Sequence, residues 1–160
     1  MQELTTARLR LRPLRLADAE RVLEVYSHPL AAPWTGDHTL QEIRDEISFY
    51  ERNAADGGWQ MYGVLLRETG ELIGDCGIVP LELTGPELEL MYDIHPDHWG
   101  RGIAGEAVAA VLHRHPGELI AVAKPSNAAS LRILEKNGFK RDGTTFAYGE
   151  ELLRFLRDTR

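Results

Sequence analysis

The stretch HPDHWGRGIAGEA, residues 95–107, places Gly100, Gly102 and Gly105 at the mouth of a segment with helical periodicity. Its letters include G-x-G-x-x-G, the spacing of a dinucleotide-binding turn. Such a turn sits directly after a buried first strand and is followed, about 20 residues on, by an acid at the end of the next strand. Here HPDHW stands between strand and glycines, the strand itself carries Glu87, Glu89 and Asp93, and the following apolar strand ends in Lys124-Pro125. About 60 residues remain beyond Gly100, too few for the rest of a doubly wound fold. The dinucleotide reading is excluded.

The local chemistry still points to an anion. The first turn of a helix carries unpaired N–H groups and partial positive charge. Most helix starts answer with Ser, Thr, Asp or Asn; this one offers Gly100, Arg101 and Gly102. Glycine lets a ligand approach the backbone, and Arg101 adds positive charge where an isolated helix does not favour it. A phosphate or pyrophosphate arriving from outside suits such a start. A plain glycine-rich turn beside Asp97, with a surface arginine, is the alternative that these local features leave open.

The strand before the bend, ELELMYDIH (87–95), sets Leu88, Leu90, Tyr92 and Ile94 on one face and Glu87, Glu89, Met91, Asp93 and His95 on the other. A central strand covered by helices on both sides is apolar on both faces. The acidic face therefore predicts a wet cleft or an exposed edge, with the cleft beside the phosphate site.

Working outward, RLRLRPL (8–14) alternates as a half-exposed strand, ADAERVLEVYSHP (17–29) reads as a helix stopped at Pro29, and AAPWTGDHT (31–39) as a loop. Leu40, Ile43, Ile47 and Tyr50 recur at helical steps over 40–54, and ADGG ends that helix. WQMYGVLLRE, ELIGDCGIVPLEL and ELELMYDIH form a three-strand meander punctuated by TGE and TGP. After the glycines, Ile103, Ala107, Val108, Val111 and Leu112 mark a helical stripe; ELIAVAKP is a short strand, SNAASLRILEKNGF a helix, and KRDGTTFAYGEELLRFLRD two more strands. The order βααβββαβαββ predicts one α+β domain over residues 1–160. Its mixed, mostly antiparallel sheet has six or seven strands, with helices on both faces.

Composition narrows the classes. The 160 residues are 43% apolar and 27% charged with a formal net charge of −7, which argues against general nucleic-acid binding. No apolar run is long enough to span a bilayer, and the N-terminal residues lack an apolar signal core. Cys76, the only cysteine, cannot form an internal disulfide, so a cytoplasmic location is the expectation.

Together these segments resemble the GNAT superfamily of N-acetyltransferases, whose acetyl-CoA signature has the core Q/R-x-x-G-x-G/A. Trp99-Gly100-Arg101-Gly102-Ile103-Ala104 fits that core except at its first position. The tryptophan there is usual in the branch that resembles the ribosomal-protein N-terminal (alanine/serine) acetyltransferases. TARLRLRPLRLADAERVLEVYSHP resembles that branch's opening, ELIGDCGI its third strand and SNAASLRILEKNGF its last helix, so the similarity runs from about residue 5 to residue 145.

The resemblance implies acetyl-CoA as co-substrate and no metal. It makes Trp99, Gly100, Arg101, Gly102, Ile103, Ala104 and Gly105 the coenzyme bend, with backbone N–H groups from Arg101 to Gly105 on the pyrophosphate. The pantetheine arm pairs with the strand end at Asp93 and Ile94, and Asn127 bonds the pantetheine region. Asn127 also fits an ordinary helix N-cap, and both roles hold together. Glu89, in Glu89-Leu90-Met91-Tyr92, matches a family glutamate and is the first candidate for the base that takes a proton from the amine. A structural or merely attractive role is its alternative. Ser130 matches a serine that protonates or stabilises the leaving thiolate, with a bland surface hydroxyl as the alternative. The tyrosine that many relatives use as the acid is replaced by Leu134, leaving Tyr92 or a water to substitute.

The implied activity moves an acetyl group from acetyl-CoA to a primary amine, a protein N-terminus or a small amine or amino acid, by direct attack in a ternary complex. A non-catalytic acyl-CoA sensor or interaction module is the second reading. The short link HRHPG (113–117) and the short C-terminal hairpin depart from relatives on the acceptor side. Relatives often pair, which leaves a homodimer open; neither nucleic acid nor membrane is expected as partner. His95, His98, His113 and His115 read as surface or loop residues rather than metal ligands, and Cys76 as a small core residue. Trp34 is placed at an acceptor pocket and Trp59 in the core.

Overall fold

The computed structural model describes residues 3–158. Stretches that alternate apolar with polar residues or run apolar build the strands of one sheet. Its strands are β1 Leu4–Thr5, β2 Leu9–Pro13, β3 Gln60–Leu66, β4 Leu72–Pro80, β5 Leu88–Ile94, β6 Leu119–Ala123, β7 Lys140–Ala147 and β8 Glu150–Arg157. The helices are α1 Ala19–Ser27, α2 Ala32–Thr35, α3 Leu40–Gly57, α4 Ile103–Arg114 and α5 Ala128–Lys136.

The strands lie in the order β1-β2-β3-β4-β5-β6-β8-β7. Neighbours from β1 to β5 are antiparallel, β5 and β6 are parallel, and β6-β8-β7 is antiparallel again. β5 and β6 share the single pair Glu89↔Ile120. Beyond it the two strands part, and the edge of β5 from Met91 to Ile94 is left without a ladder partner on that side. This gap in the middle of the sheet is where the site forms.

The elements form for legible reasons. Thr39 and Glu42 make a reciprocal capping box at the start of α3, and Gly58, at φ +69°, ends it. Its Ile43, Ile47 and Tyr50 are buried against α1, as the periodicity predicts. Trp59 is buried and stacks on Phe49, so its expected core role holds. Tyr26 on α1 reaches Asp75, which lies opposite Asp93, whereas Ser130 on α5 reaches Tyr92. Adjacent residues of a strand point to opposite faces, so helices cover both sides of the sheet.

Two elements differ from the expectation. Among the described residues the sheet has eight strands rather than six or seven, because the two-residue β1 pairs Leu4 with Leu11 and is too short to show an alternation. AAPWTGDHT, expected as a loop, contains α2, one turn with Pro33 in its first positions and Gly36, at φ +78°, as its stop. Tertiary bonds hold that turn: Thr35 Oγ1 donates to the Tyr26 carbonyl at 2.8 Å and Lys124 Nζ to the Pro33 carbonyl at 2.8 Å. Among the described residues no helix is long and apolar enough to cross a membrane.

β3 and β4 approach so closely that one position admits no side chain. A Cβ on Gly77 would stand 2.3 Å from the Gln60 carbonyl oxygen and 2.6 Å from Met61 Cα. Backbone cannot yield as a rotamer can. Gly77→Ala is expected to cost about 1–3 kcal/mol or more in urea unfolding; an unchanged midpoint contradicts this packing.

Candidate active site

The bend after β5 is built from glycine and closed by tertiary bonds. Gly100 has φ +77° and Gly102 φ +76°, the left-handed region that side chains disfavour. Gly102 is the N-cap of α4, and no side chain caps that helix start. Its first N–H groups therefore keep no partner within the helix. The Trp99 indole donates to the Ile94 carbonyl at 2.7 Å, pinning the bend to the end of β5. From behind, Arg8 donates to the Arg101 carbonyl at 2.9 Å and pairs with Glu106 at 2.8 Å.

The bend opens on a cleft of about 1250 Å³. Its walls are the strand end Tyr92–Ile94, the bend and first turn of α4, the start of α5, and Trp34 with Thr35 from α2. Gly105 lies on this wall, and a Cβ there would meet nothing within 4 Å. The space in front of the uncapped helix start is thus free for a large anion.

Of the residues singled out from sequence, Asp93, Ile94, Trp99, Gly100, Gly102, Ile103, Ala104, Gly105, Asn127 and Ser130 all line this one cleft. Asn127 accepts a bond from the Ser130 N–H at 3.2 Å, so its N-cap role is real and leaves its amide group available. The Ser130 hydroxyl lies 2.7 Å from the Tyr92 hydroxyl, which makes a pair of hydroxyls on the cleft wall. Burial raises the Tyr92 phenol above its ordinary value, so at neutral pH it stays a donor. Trp34, expected at an acceptor pocket, also lines this cleft. Arg101 does not: it lines a smaller notch with Arg8, Arg67 and His98. His95, read as a loop histidine, is 13% exposed and its Nδ1 accepts from the Asp97 N–H.

Glu89 is also set apart. It is 2% exposed and does not line the cleft. The Tyr148 hydroxyl donates to its Oε2 at 2.5 Å, and the Tyr148 N–H donates to Glu82 Oε1 at 2.6 Å. The acidic face of β5 is divided: Asp93 lies on the cleft wall, as the expectation of a cleft there has it, whereas Glu89 is covered. Alternation reports which face a side chain takes, not what covers it, and Tyr148 from the β7–β8 turn covers Glu89. Burial pushes the Glu89 carboxyl up to about 7, with the Tyr148 bond pulling the other way.

That shift has a consequence for stability. A carboxyl raised on folding adds stability that is complete below its ordinary value and is lost as pH rises through the folded one. The melting temperature is expected to fall as pH rises from about 4.5 to about 7, and Glu89→Gln to flatten part of that fall. An identical profile in the variant contradicts the assignment.

Sequence reasoning missed three partners. Tyr148 sits at φ +54° in the Tyr-Gly hairpin turn, a conformation uncommon for a bulky residue, and nothing local ties it to Glu89. Asp75 and Tyr26 were also missed. An acid within the apolar run LIGDCGIV was the one signal available for Asp75.

With this geometry in hand, comparison with known proteins gives consistent results. Residues 8–140 match the family model described as acetyltransferase (GNAT) domain. YoaA of Bacillus subtilis, described as an uncharacterized N-acetyltransferase, is 31% identical over 153 residues, 91% of this chain and 86% of its own length. The crystal structure of an acetyltransferase from Agrobacterium tumefaciens superposes with a TM-score of 0.81 at 28% identity, covering 98% of this chain and 94% of that one. The ribosomal-protein alpha-N-acetyltransferase RimL, solved in complex with coenzyme A, gives 0.80 at 14% identity over 99% and 100% of the two chains, a likeness of fold.

Proposed function

We propose, because the chain belongs to the GNAT acetyltransferase family, that it moves an acetyl group from acetyl-CoA to a primary amine by direct attack, in a single domain spanning residues 1–160. The acceptor is a protein N-terminus or a small amine or amino acid, and the reaction is cytoplasmic. The observation that carries this reading is the uncapped, glycine-built start of α4 facing a cleft that also holds the free end of β5.

Acetyl-CoA supplies an activated acyl carbon. The chain's part is to align and to manage protons. The backbone N–H groups at the start of α4 hold the diphosphate, where the helix end favours negative charge. The edge of β5 at Asp93 and Ile94, which has no ladder partner on β6, lines up the pantetheine arm, and Asn127 fixes it from the other wall. Fixed geometry turns a bimolecular encounter into a reaction within one complex. Glu89, through Tyr148 or a water, accepts a proton from the amine; Ser130, bonded to Tyr92, returns one to the departing sulfur.

The test is a panel of amines and N-terminal peptides with acetyl-CoA, following release of free thiol. Amine-dependent thiol release supports the reading. Coenzyme hydrolysis that no amine accelerates contradicts it.

A further inference from the structure

On the same face of β5 as Glu89, four residues along, stands Asp93, and it has a partner that the reaction described above does not use. Asp93 lies on the cleft wall. Directly opposite it on β4 is Asp75, 1% exposed. One Asp75 oxygen accepts from the Tyr26 hydroxyl; the other, Oδ1, is buried with no hydrogen-bond partner among the described residues. Two carboxylates pressed together away from water repel, and each loses hydration. A proton held between them removes both penalties. It bonds the orphaned Oδ1 and leaves the couple with one negative charge. We propose that Asp93, backed by Asp75, is a second proton acceptor for the reacting amine.

The surroundings fit that role. Burial raises the Asp75 carboxyl, with the Tyr26 bond pulling the other way. Burial also raises Asp93 well above its ordinary value, and the Asp75 charge adds to it. From α1 the couple faces Tyr26, and from α3 it faces Glu46 and Tyr50, with His38 bearing on Glu46. Cys76 adjoins it on β4, and Glu89 acts on it along β5. The acidic neighbours disfavour a second charge, so the couple keeps one proton through the neutral range.

The inference rests on the acetyl-transfer reading, and the proton balance shows why two acceptors are useful. An ammonium must lose one proton before its nitrogen has a lone pair. When that pair forms the C–N bond, the nitrogen must lose another as the C–S bond breaks and its electrons leave on sulfur. Asp93 takes the first proton while passing the shared one to Asp75 Oδ1, and Glu89 takes the second. The sulfur is protonated from the Ser130–Tyr92 hydroxyls. Asp93 and Glu89 flank Met91 on one face, each about 7 Å along the strand from it. Asp93 is the catalytic residue of the couple and Asp75 a positioning residue.

The experiment measures log kcat against pH for the whole protein with an amine that it acetylates. With two carboxylates required in the bound complex, the acid limb of the wild type approaches a slope of about two. Asp93→Asn is expected to lower kcat about tenfold or more and reduce the slope to about one, with KM for acetyl-CoA unchanged. Asp75→Asn is expected to move the same limb to lower pH, since it removes the charge that raises Asp93. A limb that Asp93→Asn leaves unchanged in slope and height overturns the proposal. A second readout needs no turnover. In a Glu89→Gln background, the infrared stretch of a protonated carboxyl is expected at neutral pH and is lost on adding Asp75→Asn; its absence before that change overturns the proposal. Failure of every amine in the panel defeats the transfer reading, whereas turnover with an unaltered Asp93→Asn profile defeats only this one.

Discussion

Glu89→Gln is expected to lower kcat by about 10²–10⁴-fold, the usual contribution of a positioned general base, with acetyl-CoA affinity unchanged. The change is nearly isosteric. The Tyr148 hydroxyl keeps an acceptor in the glutamine carbonyl, so the β7–β8 turn has no reason to move. Only the capacity to take a proton is removed. The variant also separates the enzyme from a sensor built on the same fold. A sensor binds the coenzyme but shows no turnover for the substitution to abolish. A purely structural Glu89 predicts a variant with a lower melting temperature and nearly full kcat in the surviving protein.

Gly105→Phe is expected to weaken acetyl-CoA binding by about 100-fold or more, equivalent to about 2.7 kcal/mol, with the fold intact. Gly105 lies in the first turn of α4 and not in the left-handed region, and its missing Cβ points at open space. A side chain there strains nothing in the apoprotein. It does stand where a diphosphate would meet the helix N–H groups. Gly105→Ala is the matched control: it relieves up to about 1 kcal/mol of glycine's helix penalty and obstructs far less. Calorimetric titration with coenzyme A reads both. Full affinity in the phenylalanine variant moves the coenzyme away from this turn.

The parts of this account that were legible in the sequence are those with local causes. Gly100, Gly102 and an N-cap without Ser, Thr, Asp or Asn announce an unfilled helix start within six residues. The Thr39–Glu42 box and the apolar steps of α3 are equally local. The parallel pairing of β5 with β6, and the point at which they part, are not legible, since no periodicity states which strands neighbour one another. What stayed hidden depends on register and on distant cover. Asp75 faces Asp93 because β4 and β5 pair as they do; a slip of one residue would send Asp75 to the other face. Tyr148 reaches Glu89 from 59 residues away. The acidic face of β5 is therefore legible as a face, and its cleft at Asp93 with it, but the cover over Glu89 is not. α2 was hidden for another reason: Pro33, Thr35 and Gly36 are turn formers, and bonds from Thr35 and Lys124 turn that loop into one helical turn.

The most direct test is a crystal structure of the protein with coenzyme A bound. Diphosphate oxygens within hydrogen-bond distance of the N–H groups of residues 102–105, with the pantetheine arm along Asp93 and Ile94 and the sulfur beside Ser130, are the predicted result. A diphosphate seated elsewhere, or a cleft that takes up no coenzyme at millimolar concentration, contradicts it.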